Sequence, residues 1–93
     1  MVYQILDLDV HDPALYAQYT APVTEIIHHY GGKYLVRGGK IHSASGWEPK
    51  RIVVITFESA ERLQACYASP EYRAIIHLRR QSSTSKSVVV EGV

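Results

Sequence analysis

Between Val2 and Asp9 apolar and polar positions alternate, the period of a strand with one face covered, and His11, Asp12 and Pro13 then mark a turn. Asp12 followed by Pro13 is a helix start: the carboxylate can accept first-turn amides, and proline at the first helical position has no amide to leave unpaired. From there Leu15, Tyr16, Tyr19, Val23, Ile26, Ile27 and Tyr30 fall on one stripe at the helical period, so a helix reaching Tyr30 is predicted, with that stripe against a core. Pro22 interrupts the pattern and removes one backbone hydrogen bond; a bend or break is expected near Gln18 to Pro22. Gly31 and Gly32 supply the left-handed residue that ends a helix.

Lys33 to Ile41 reads as a second strand, with a bulge expected at Gly38 and Gly39 and an edge position that tolerates it. A polar loop around Trp47, His42 to Lys50, leads into Arg51 to Phe57, the most apolar run in the chain and the third strand. Ser59 caps a short helix through Tyr67, and Ser69-Pro70-Glu71 is a second helix start. In that second piece Tyr72, Ile75, Ile76 and Arg79 share one face, while Arg73, His77 and Arg80 share the other. A polar connection from Gln81 to Ser87 precedes a short last strand, Val88 to Val90. The order strand, helix, strand, strand, helix, strand is that of a ferredoxin-like α+β fold: one domain over residues 1–93, with an antiparallel sheet whose first and third strands are central.

Ile52, Val54 and Thr56 point to one side of the third strand and Val53, Ile55 and Phe57 to the other, so helices on one side cannot cover both. At about 1.5 to 3 kcal/mol per large apolar side chain, an uncovered row forfeits roughly 4 to 9 kcal/mol, which rivals the stability of a small domain. An identical sheet from a second copy is the simplest cover. A homodimer joined through its sheet faces is therefore predicted.

Composition narrows the partners. Ten Lys and Arg against nine Asp and Glu leave a formal charge of +1, so no global field draws the chain to nucleic acid or anionic lipid. The third strand, with Ile52, Val53, Val54 and Ile55, also offers aliphatic side chains where RNA-recognition sheets display the aromatic residues that read bases. No apolar run reaches the roughly 20 residues needed to span a bilayer. The lone Cys66 and an N-terminus without a charged-then-apolar pattern fit a cytoplasmic protein.

Several motifs together resemble the bacterial family described as domain of unknown function 1330, within the dimeric alpha/beta-barrel superfamily. They are Asp12 with Tyr16 and Tyr19, the run from Tyr30 through Gly39, the loop Gly46-Trp47-Glu48-Pro49 with Arg51, the block Ser69-Pro70-Glu71-Tyr72, Arg79, and the ending Glu91-Gly92-Val93. The resemblance implies a ferredoxin-like protomer in a sheet-to-sheet dimer. It assigns no reaction, because the superfamily mixes cofactor-free monooxygenases, lactone isomerases, haem enzymes and stress proteins. Where family members often carry an acid just before the loop glycine, this chain has Ser45, so no general acid is assigned there.

Two cations stand where the periodicity expects apolar residues: Arg37, on the strand face of Leu35 and Ile41, and Arg79, on the helix face of Tyr72, Ile75 and Ile76. A desolvated arginine needs a partner. The candidate site is a cleft between sheet and helices in which Arg37 and Arg79 hold a small anionic or aromatic metabolite, walled by Tyr19, Trp47, Tyr67 and Tyr72. Gly38 belongs to it if Arg37 to Gly39 forms an anion-binding backbone nest; a strand bulge is the other explanation. Structural ion pairs with Asp7, Asp9 or Glu71 are the alternative for the arginines, and the protein is then a non-catalytic interaction or stress-related module. His29 and Tyr72 are the candidate proton carriers if a reaction occurs. The five histidines show no metal-ligand spacing, and neither metal nor cofactor is expected.

Overall fold

The computed structural model describes residues 1–93. Its elements are β1 (Val2–Val10), α1 (Pro13–His29), β2 (Lys33–Arg37), β3 (Ile52–Phe57), α2 (Ala60–Ala68), α3 (Pro70–Arg73), α4 (Ile76–Ser82) and β4 (Ser83–Glu91). The strands form one antiparallel sheet in the order β2-β3-β1-β4, the ferredoxin-like arrangement, with the two most apolar strands in the middle. No helix is long and apolar enough to cross a membrane.

Directly paired residues on neighbouring strands point to the same face. One face therefore carries Val2, Gln4, Leu6 and Leu8 of β1 with Val53, Ile55 and Phe57 of β3, all buried beneath Tyr19, Val23 and Ile27 of α1, Leu63 and Cys66 of α2, and Tyr72 of α3. The opposite face has no helix over it. Its middle transect is Val36, Val54, Ile5 and Val88, one residue from each strand in register, and Val88 is 53% exposed.

The predicted helix starts hold. Asp12 accepts the Leu15 amide at 3.1 Å, and Ser59 and Ser69 accept those of Arg62 and Tyr72, each at 3.2 Å. Replacing Asp12 with alanine should lower stability by about 1 kcal/mol with the fold intact, read as an earlier urea midpoint at unchanged slope. Gly31, at φ 84°, turns the chain out of α1, and Gly32 follows in tight contact with the core: a Cβ there would lie 2.7 Å from Ile27 and 2.9 Å from Phe57.

Four expectations need correction. The helix does not break at Pro22; α1 is one element through it, since packing of its stripe on the sheet outweighs one missing backbone hydrogen bond. The second strand ends at Arg37, and its register shift falls between Tyr34 and Val36, not at Gly38 and Gly39. That shift places Arg37 on the face of Tyr34, not that of Leu35. The last strand is nine residues long: the polar run from Ser83 to Ser87 pairs with β1 along its whole length, because the edge of a central strand offers it a complete hydrogen-bond ladder. Finally, the chain turns at Ala74 and Ile75 between α3 and α4, which brings Arg73 to the same side as Arg79.

Candidate functional site

Beneath α1 the helix-covered face of the sheet leaves a narrow cavity. Its floor is Leu6, Leu8, Val53 and Ile55; Tyr16, Tyr19, Thr20 and Val23 roof it; Tyr34 and Arg37 close it at the β2 edge, and Tyr67 and Arg79 on the other side. The enclosed space is about 30 Å³, enough for one or two water molecules. Tyr67 and Arg79 also form the inner wall of an open groove of about 390 Å³ between β4 and the α3–α4 segment, completed by Gln4, Tyr72, Arg73, Ile76, Arg80 and Ser87. Sequence explains that space. The residues β4 turns toward the helices begin Ser83, Ser85, Ser87, side chains too small to fill it.

A chain of rings separates cavity from groove. Tyr67 meets Tyr72 edge-on at 4.7 Å between centroids, and Tyr72 meets Tyr19 in the same way at 6.3 Å. The Tyr19 and Tyr72 hydroxyls are 2.9 Å apart and share one hydrogen bond, which leaves one of their two hydroxyl hydrogens free to donate elsewhere. The Tyr67 hydroxyl donates to Gln4 Oε1. Burial raises the pKa of all three phenols above the ordinary range; for Tyr72 the hydrogen bond shared with Tyr19 and the charge of Arg79 oppose the rise. They are hydrogen-bond donors at neutral pH and not bases. Burial likewise pushes the Cys66 thiol up to about 11, so it is neutral and unreactive at physiological pH.

The two predicted arginines differ. Arg37 is exposed and fastens β2 to α1: its Nη2 donates to the Thr20 carbonyl at 3.1 Å and to Thr24 Oγ1 at 2.6 Å, and its guanidinium lies 4.3 Å from the Tyr34 ring centre. Arg79 is half-buried, faces both cavity and groove, and has its own carbonyl held by the Ser82 and Ser83 hydroxyls at 3.3 and 2.7 Å. The carboxylates expected as partners are engaged elsewhere or lie apart. Asp7 accepts the amides of Lys50 and Arg51, Glu71 accepts the Tyr30 hydroxyl, and Asp9 is exposed.

Tyr19, Tyr67, Arg37 and Arg79 thus come together around the cavity, with Tyr72 on the groove side. Trp47 lies on the opposite face of the sheet with Ile5, Asp7 and Val88, its ring 5.0 Å from Lys86 Nζ. Gly38, at φ 69°, packs against the Arg51 guanidinium, and its amide donates to the Ile52 carbonyl at 2.8 Å, so it is not free for an anion. His29 is exposed and packs edge-on against Tyr30, outside both spaces. No three histidine, cysteine or acidic side chains converge as a metal set. Gln4, Arg73, Arg80 and Ser87 line the groove without being among the site residues expected from sequence. Gln4 had a usable signal, a polar residue at an inward position between Val2 and Leu6.

A four-stranded ferredoxin-like sheet with helices on one face and an apolar opposite face defines the class to which the dimeric alpha/beta-barrel proteins belong. The chain belongs to the family described as domain of unknown function DUF1330, whose pattern matches residues 1–93. No curated protein matches it. Among solved structures it is similar to RPA0582, a protein of unknown function from Rhodopseudomonas palustris, with 14% identity and a TM-score of 0.75 over 99% of this chain and 82% of that one. It is also similar to SnoaB, a cofactor-independent oxygenase from Streptomyces nogalater, with 16% identity and a TM-score of 0.70 over 99% and 92% of the two chains. A dimeric ferredoxin-like protein of unknown function from Thermobifida fusca matches with 12% identity and a TM-score of 0.64 over 98% and 90%. At these identities the likeness establishes the fold.

Proposed function

We propose that the protein is a homodimer, joined through its open sheet faces, that binds a small anionic or aromatic metabolite between the sheet and the helices of each protomer. One observation carries the reading: Arg37, Arg73, Arg79 and Arg80 line the cavity and the groove, and no carboxylate does. Nearly half of the ten cations of a chain with almost balanced charge gather where none of its nine acids reaches. Protonated phenols beside them add neutral donors suited to the same ligand. Any reaction there is acid-assisted, with Tyr72 as the proton donor and Arg79 stabilising developing negative charge.

Thermal melts against a panel of small carboxylates and phenols test this. A ligand at a hundred times its Kd should add about 2.7 kcal/mol, a rise in melting temperature of roughly 10 °C or more for a domain of this size. A flat response across the panel would favour the alternative, a non-catalytic dimeric interaction module whose small cavity is filled by its own side chains.

A further inference from the structure

Cavity and groove differ in what they can hold. The cavity is walled mainly by apolar side chains and rings, and at about 30 Å³ it does not admit a benzene ring unless the tyrosines move. The groove, at about 390 Å³, is metabolite-sized and mostly polar. Arg73, Arg79 and Arg80 line it, and no acid is among its lining residues. Like charges assembled in one recess repel, and an anion is what relieves them.

Gln4 is the second, independent indication. It is only 7% exposed, its Oε1 is occupied by the Tyr67 hydroxyl, and its amide nitrogen has no partner within the protein. That nitrogen keeps contact with solvent, the Arg51 Nε being the one buried side-chain polar atom left unpaired, and because Gln4 lines the groove at its sheet side its amide is a neutral donor open to a ligand there. Ser87, one strand over on the same face, adds a hydroxyl.

Resting on the cleft-binding reading above, we infer that the ligand seat is this groove and that its occupant is a compact molecule carrying at least two negative charges on oxygen, a polycarboxylate or a phosphate ester, and not an aromatic monoanion. Arg79 and the Gln4 amide take the oxygens nearest the sheet. Arg73 and Arg80 hold the second charged group at the rim. Arg37, committed to α1, stays outside the contact.

Isothermal titration of the full chain with citrate, glycerol 3-phosphate and benzoate at fixed ionic strength tests the assignment. One polyanion should bind saturably, one per protomer and at least about ten-fold tighter than benzoate, and the better of the two separates carboxylate from phosphate chemistry. R79Q and R80Q should each weaken it by about ten-fold or more, the loss expected for a charged hydrogen bond, whereas R62Q, an exposed position of α2 outside both cavity and groove, should stay within about two-fold. Arg80 is exposed, so R80Q keeps the fold, and relief of repulsion should leave its ligand-free melting temperature unchanged or higher. Tightest binding of benzoate, or equal damage from R62Q and R80Q, would overturn the groove while leaving a ligand in the cleft. Absence of binding by all three, together with a flat melting response to the carboxylates and phenols above, would overturn both.

Discussion

Replacing Val54 with glutamate should turn a dimer into a monomer. Val54 stands in the middle of the transect Val36-Val54-Ile5-Val88, on the one sheet face that no helix covers. Each of these side chains keeps part of its surface in water in the single protomer, and removing it from water is worth on the order of 1 to 2 kcal/mol apiece. Together they outweigh the rim contacts of a small interface. A carboxylate at Val54 would have to be desolvated at the centre of the joint, at a cost of several kcal/mol, or else keep the sheets apart. Sedimentation at micromolar concentration should show the wild-type protein at twice the 10.5 kDa of one chain and the variant at that mass itself. A wild-type protein sedimenting as a single chain would remove the dimer altogether.

The largest loss of stability is expected at the other face. Phe57 is 1% exposed, lies against Ile27 and the backbone of Gly32, and meets Tyr67 edge-on at 6.3 Å between centroids. Phe57→Ala should cost about 3 to 5 kcal/mol, because the ring leaves both transfer energy and an unfilled hole. A protein of this length has roughly 5 to 14 kcal/mol to lose. The urea midpoint should fall by about a fifth or more at unchanged slope, and Phe57→Leu should recover most of the difference. A change under about 1 kcal/mol would mean that the ring is not a keystone of this core.

These two faces were legible in the residues themselves. Seven consecutive positions from Arg51 to Phe57 with apolar side chains on both sides require a strand covered twice, and the Asp12-Pro13, Ser59 and Ser69-Pro70 signals are local chemistry that tertiary packing had no reason to override. Ser83 to Ser87 was not legible as strand. It carries no apolar alternation, and its conformation comes from the β1 edge it pairs with, a partner far away in sequence. The same blindness hides the groove, whose sheet side is Gln4 of β1 and Ser87 of that strand. One residue of register shift at Leu35 moved Arg37 to the other face from the one a regular count assigns. The break at Ala74 and Ile75 likewise combined Arg73 with Arg79, which a continuous helix would separate. The side of the sheet on which Trp47 lies is hidden for a different reason: a loop of nine residues has no periodicity from which to infer it.

The carbonyl of Ser82 accepts both the His11 amide at 2.9 Å and the Asp12 amide at 3.1 Å, and Ser83 begins β4 with no intervening loop. The C-terminal end of α4 is thereby moored to the corner between β1 and α1 as well as to the sheet. The helix bearing Arg79 and Arg80 is fixed at that end, so widening of the arginine-lined recess must pivot at Ser82, with the turn at Ala74 and Ile75 as the yielding hinge at the far end. Hydrogen exchange should follow suit, slow at the His11 and Asp12 amides and faster across that hinge.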